Sequence, residues 1–439
     1  MSVLLFGAES KAGSDHGPAR TGIVVSDGRA VRDDQGGFHP KGLTFFWAMQ
    51  RWLSDRPRMK QNAEWVASKG FDYVRILTEV QWANGLKIDP TTSKWSNGIW
   101  GRVLRDVIDY FYDELGVRVQ PTLIGKGTAT DPMWLAREAA TIIGENRQHK
   151  ILLVECCNEY TITDVAVPLD RLVPMARELR DRTPNLIALS APGDWGAMMN
   201  ESLKLGVDGF TVHLDRGAGD YGWRQVRQSY DLKDARPFVT FSNEPAGPGS
   251  SVATNTNPLQ LAMMRAVGVM CGGTGFVLHT GTGVFGDGVG HPTAGPRPAN
   301  FWEIDNIDAI VDAVNGINKL LPEGVENWRV IISRNTNSGE GRDAPFTPHD
   351  HWEGSERDGV NKAYSALSSD GRWIQMPCGV RGHVVLTASY PLSDVTVYDP
   401  LTGRPLPGFE NRSFAQGETL DLPGGGEDAM VAYVIQGRR

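Results

Sequence analysis

The sequence predicts an α/β protein in two parts, a (β/α)8 barrel (TIM barrel) followed by a C-terminal antiparallel β-sandwich. Three observations lead there. Eight apolar runs alternate with amphipathic stretches over about 280 residues, the usual span of such a barrel. The runs are nearly continuous, as strands covered on both faces of a parallel sheet must be. Beyond residue 322 the pattern becomes short alternating runs broken by Pro, Gly and Asp.

Taken in order, residues 1–37 read as a β-hairpin lead-in. A strand-like piece at 22–25 meets Ser26-Asp27-Gly28-Arg29, and Asp-Gly is a hairpin turn signal. The barrel is expected over 38–322. Its strands fall in the runs 42–47, 71–77, 117–124, 151–157, 186–191, 209–214, 238–242 and 275–279. Helices are expected at 58–68, 100–114, 131–144, 169–182, 197–205, 221–231, 258–270 and 302–321. Asp131-Pro132 and Asn257-Pro258 set proline early in two of them. A doubly wound open sheet would carry a glycine-rich phosphate turn after its first strand, and Phe45-Phe46-Trp47 is no such turn. The sandwich is expected over 325–439, with a long polar loop at 335–362.

Composition excludes several classes. An apolar fraction of 40% with 13 Trp, 10 Tyr and 15 Phe excludes global disorder. No window approaches 18 uninterrupted apolar residues, so no spanning helix is expected. A net charge of −8, spread along the chain, leaves no basic footprint for nucleic acid. Four cysteines, Cys156, Cys157, Cys271 and Cys378, have neither metal-site nor disulfide-framework spacing and read as small buried thiols. The opening MSVLLFGAES lacks a basic n-region, so the chain as written reads as cytoplasmic, or as secreted if a leader was trimmed. Oligomeric state is left open. Two surpluses remain: 13 tryptophans, and 51 glycines among 439 residues against a usual level of about 7%.

In a barrel the chemistry comes from the carboxyl ends of the strands. The second run delivers Arg75, with Glu79 in the following loop, and the third leads to Lys126. The fourth delivers Asn158-Glu159-Tyr160, the fifth Asp194-Trp195, the sixth His213, the seventh Asn243-Glu244 and the eighth His279. Two glutamates from strands four and seven suit glycoside hydrolysis. One carboxylic acid protonates the leaving oxygen, and the other attacks the anomeric carbon or activates a water there. Asn158 fits a hydrogen bond to the sugar 2-hydroxyl, and Arg75 fits a cation that keeps a carboxylate ionised.

That order of Arg75, Asn158-Glu159, His213 and Glu244 resembles clan A glycoside hydrolases. The lead-in Ile23-Val24-Val25-Ser26-Asp27-Gly28, running to His39-Pro40-Lys41-Gly42-Leu43-Thr44, is similar to that of family 5 cellulase-like members. The resemblance covers roughly residues 22–320 and implies a retaining enzyme acting on β-glycosides. It implies Glu159 as acid/base, Glu244 as nucleophile, and Asn158, Arg75 and His213 as supporting residues. His279 stands where these enzymes usually carry a tryptophan, and Pro245 follows Glu244.

Trp47, Trp82, Trp195 and Trp223 fall at or just past strand ends and are expected to pack against sugar rings. Trp95 and Trp100 are expected at the rim, Trp65 and Trp134 in the core. The run 281–290, GTGVFGDGVG, reads as a flexible active-site loop, and Glu79 and Asp194 as solvated loop acids. No cofactor is expected, and no metal: the histidines show no HxH or HExxH spacing, and His349 and His351 lie in the polar loop. The partner is an oligo- or polysaccharide or glycoside. Two rival readings are a transglycosylase and a non-catalytic carbohydrate binder of the same fold.

Overall fold

The computed structural model describes residues 19–82, 85–96, 98–125, 131–160, 167–192, 206–214, 221–232, 238–250, 254–286, 297–333, 343–348, 362–380, 382–425 and 430–439. Eight parallel strands, one in each apolar run, close on themselves: β1 (Lys41–Thr44), β2 (Tyr73–Leu77), β3 (Arg118–Ile124), β4 (Val154–Cys157), β5 (Ile187–Pro192), β6 (Gly209–His213), β7 (Val239–Ser242) and β8 (Gly275–Leu278). The barrel shuts where β8 pairs with β1, Val277 opposite Gly42.

Helices Arg56–Ser68, Ile99–Asp109, Pro132–Gly144, Leu169–Arg182, Tyr221–Asp231, Pro258–Met270 and Ile307–Gly316 return the chain between strands. The two proline starts are capped as their sequences require. The Asp131 carboxylate accepts from the Met133 amide at 3.1 Å, and Asn257 Oδ1 accepts from Leu259 and Gln260 at 3.0 and 3.3 Å. A helix not anticipated, Ala48–Ser54, follows β1 directly. The helix expected over 100–114 changes to a π-helical turn at Tyr110–Glu114, where Phe111 packs edge-on against Phe45. The stretch 197–205 lies outside the described residues.

Side chains alternate along each strand, so every second residue points into the barrel. The lower layer is apolar, with Tyr73, Leu153, Ala188, Val239, Phe241 and Val277 in one buried cluster. Higher up the inward positions turn polar: Arg75, Gln120, Thr122, Glu155, Ser190 and Thr211, all fully buried. The Tyr73 and Phe241 rings meet edge to face at 6.2 Å and fill the floor, which requires a residue without a side chain on β1. A Cβ on Gly42 would stand 2.3 Å from the Tyr73 ring. Gly42→Ala is therefore expected to cost about 1–3 kcal/mol of stability by overpacking, read as a lowered denaturant midpoint.

The lead-in is a three-stranded antiparallel sheet, Val25–Ser26, Val31–Asp33 and Gly36–Phe38, one strand more than a hairpin. It seals the barrel floor through Val24 and Val31 and is tied to β3 by Arg118 Nη1 and Asp33 Oδ2 at 2.8 Å. The C-terminal part has two antiparallel sheets over one apolar core. A larger sheet contains Arg329–Ser333, Lys362–Leu367, Arg372–Val380, Val434–Arg438, Leu392–Tyr398 and Arg412–Phe414. A smaller one contains Phe346–Pro348, Gly382–Ala388 and Thr419–Gly425. The strand Phe346–Pro348 falls inside the stretch expected as loop. Its pairing with Gly382–Ala388 supplies the hydrogen bonds that a loop would have lacked. The four cysteine thiols are buried and unbridged.

Candidate active site

Asn158 and Asn243 each extend their strand by one ladder bond. The Asn158 amide donates to the Ile124 carbonyl at 2.7 Å, and the Asn243 amide to Val212 at 2.8 Å. The glutamate that follows each therefore sits at the lip of the barrel. Glu159 has φ 46°, a left-handed conformation uncommon for a residue with a side chain, and such local strain gathers at functional positions.

The two glutamates face each other through a histidine. His213 Nδ1 lies 2.7 Å from Glu159 Oε1 and 3.4 Å from Glu244 Oε2. Reactive atoms of these three side chains all fall within 4.8 Å of one another. His213 Nε2 meets the Ser190 hydroxyl at 3.0 Å, which fixes the ring with Nδ1 facing both carboxylates. His279 approaches Glu244 at 3.9 Å and is steadied by Thr44 Oγ1 at 2.9 Å.

Arg75 organises the layer beneath. Its Nη1 donates to Glu244 Oε1 at 2.6 Å, its Nη2 to Asn158 Oδ1 at 2.6 Å and its Nε to Glu155 Oε2 at 2.9 Å. Burial alone would lower this guanidinium's pKa. The charges of Glu155 and Glu244 outweigh that and hold it above its ordinary value. Because Asn158 Oδ1 is engaged by Arg75, its amide NH2 is directed elsewhere, which suits donation to a hydroxyl.

Glu155 was not singled out from the sequence. It is fully buried and accepts from Thr122 and Thr211 hydroxyls, Asn243 Nδ2 at 3.1 Å and Gln120 Nε2 at 3.4 Å, besides Arg75. A lone acid at an inward position of an apolar run was its only signal, and that signal points to a buried partner such as Arg75.

The tryptophans divide. Trp82 is half-buried between Phe46 and Phe285, each 5.8 Å away, beside the Phe46 that Arg75 overlies. Trp47, expected against a sugar ring, is 1% exposed. It stacks on Phe301 and donates to the Thr282 carbonyl at 2.7 Å. Trp223 is likewise buried in the core, as are Trp95 and Trp100, which were expected at the rim. Trp134, expected in the core, is 38% exposed over Trp100. Glu79, expected as solvated, is fully buried. Lys126, Asp194, Trp195, His349 and His351 lie outside the described residues.

The first half of the expected flexible loop is ordered as a short buried helix, Gly281–Phe285, capped by the Thr280 hydroxyl. A Cβ on Gly283 would stand 2.1 Å from the Thr44 carbonyl, so this glycine serves close packing rather than mobility. The run 287–290 lies outside the described residues.

Glu159, His213 and Glu244 also have the donor types of a metal site. The permanent charge of Arg75 on Glu244 opposes a dication there.

No family model matches the sequence, and no curated protein matches it. Solved structures do share its shape. One described as a glycoside hydrolase aligns at TM-score 0.62 and 12% identity, over 95% of this chain and 97% of the other. A glycoside hydrolase family 5 structure from Bacteroides vulgatus ATCC 8482 aligns at TM-score 0.61 and 11% identity, over 95% and 93%. The chain has the barrel-plus-sandwich fold seen in glycoside hydrolases of the family 5 type.

Proposed function

We propose that the protein is a retaining glycoside hydrolase acting on β-glycosidic bonds by double displacement, with Glu159 as acid/base and Glu244 as nucleophile. The observation that carries this reading is the pair of carboxylates set against each other across the barrel mouth, with oxygens within 4.8 Å. A retaining enzyme keeps its carboxyl groups about 5–5.5 Å apart, whereas an inverting one needs roughly 6.5–9.5 Å to admit a water.

In the first step Glu244 attacks the anomeric carbon while Glu159 gives its proton to the departing oxygen. In the second, Glu159 takes a proton from water, the water oxygen attacks the same carbon and Glu244 departs. Arg75 keeps Glu244 ionised and aimed. The Asn158 amide binds the 2-hydroxyl, and the His213 ring positions both acids through its Nδ1. Trp82, which packs on the same Phe46 as His279, offers an aromatic face for a sugar ring.

The test is a panel of aryl β-glycosides followed by proton NMR of the first-formed hemiacetal. A β-anomer appearing first is expected. An α-anomer first would overturn retention, and saccharide binding without turnover on any glycoside would overturn hydrolysis. With Glu159→Ala, alkyl glycosides are expected to lose roughly 10²–10⁴-fold in rate. Dinitrophenyl glycosides, whose leaving group needs no proton, are expected to lose far less in the glycosylation step.

A further inference from the structure

The lower end of the barrel holds two buried cations whose hydrogen-bond partners are all neutral. Lys41, which opens β1, is 4% exposed, and its Nζ donates to the Lys69 carbonyl at 3.2 Å and to Asn315 Oδ1. Arg265, on the helix Pro258–Met270, is 2% exposed. Its Nε donates to Asn318 Oδ1 at 2.7 Å and its Nη2 to the His39 carbonyl at 2.9 Å. Its Nη1 is buried with no hydrogen-bond partner among the described residues. Neither cation forms an ion pair among those residues. The Asp72 carboxylate, which bears on both, is spent on the Lys41 backbone amide at 2.7 Å. Burial, and then repulsion from Arg265, pushes the Lys41 ammonium down to about 7, with Asp72 opposing. Burial pulls Arg265 down to about 10.

Both side chains line one cavity of about 620 Å³, together with His39, Asp72, Asn315 and Asn318. That is the size of a small-molecule site. The other charges around it are already engaged or exposed. His39 faces Glu326 at 3.5 Å, Arg20 pairs with Asp33 at 2.7 Å and Lys69 with Asp308 at 2.7 Å. Asp27 and Glu323 stand exposed at the rim, where water and salt screen them, whereas the two cations act in a low-dielectric floor.

We propose that this cavity binds a small oxyanion-bearing molecule, phosphorylated or carboxylated, whose anionic group sits between Lys41 and Arg265. The site is separate from the glutamate pair and does not depend on the activity proposed above. Binding an anion favours the protonated amine, so at pH above 7 it takes up a proton. Affinity is therefore greatest below pH 7 and falls as the pH rises through it.

Calorimetric titration of the full chain with sulfate, a phosphoryl mimic of fixed charge, and with succinate, at pH 6.5 and 8.5 and constant ionic strength, tests this. Saturable binding at one site is expected, about sixfold weaker at pH 8.5. Saturation by sulfate alone marks a phosphoryl ligand, and by succinate alone a carboxylate. Lys41→Met and Arg265→Met should abolish it. Since either change can also disturb folding, the wild-type chain is read directly by NMR of ¹³C-methylated lysines. The Lys41 signal should titrate about one pH unit higher when the site is filled. No saturable heat and no displaced titration with either anion would overturn the proposal. So would an equal effect of chloride.

Discussion

Glu244→Ala is expected to lower kcat/KM by about 10⁴–10⁶-fold, the scale on which loss of a residue of the nucleophilic machinery is felt. The fold should survive, because Glu244 lies at the lip and β7 keeps its ladder up to the Asn243 amide. The cavity left behind faces Arg75 and His213, a cationic pocket suited to a small anion. Azide should therefore restore turnover of an activated β-glycoside and give an α-glycosyl azide, because it attacks from the side the carboxylate occupied. The complementary Glu159→Ala variant should give a β-glycosyl azide, formed when azide replaces the activated water in the second step. Identical azide products from both variants would mean that the two glutamates do not stand on opposite faces of the sugar.

Arg75→Met should be the most damaging single change to stability. It removes the cation between Glu155, fully enclosed inside the barrel, and Glu244, nearly buried at its lip, and leaves both carboxylates without it. Breaking such a pair from one side costs about 3–5 kcal/mol. Activity should fall as well, because the same guanidinium orients Asn158, and the acidic limb of the kcat/KM profile should move to higher pH. Glu155→Gln is the control. It keeps much of the hydrogen bonding but removes one charge, so it should leave more stability than Arg75→Met. A denaturant series on the three proteins checks the order.

The barrel was legible because its strands are buried on both faces, and each strand falls within about three residues of its apolar run at either end. The place of Glu159 and Glu244 at the barrel lip was legible for a related reason, since each lies two residues past the end of a strand. Glu155 was not. Whether an acid inside an apolar run points into a barrel depends on the closure of the sheet, and its partners come from β2, β3, β6 and β7. Trp47 and Trp82 show the same limit on the side-chain level. Both follow strands, yet Trp47 turns inward to the Thr282 carbonyl while Trp82 stays half-buried against Phe46 and Phe285. The glycines of 281–286 read as mobile because composition cannot separate flexibility from close packing. Gly283 is there to let two backbones meet.

The proposed double displacement requires a covalent bond between the Glu244 carboxylate and the anomeric carbon. A 2-deoxy-2-fluoro β-glycoside with a dinitrophenyl leaving group slows both steps but speeds the first relative to the second, so the covalent intermediate accumulates. Peptide mapping of the labelled protein by mass spectrometry should place one fluoroglycosyl group on Glu244. A label on Glu159 or another residue, or clean turnover to the inverted product with no label at all, would contradict it.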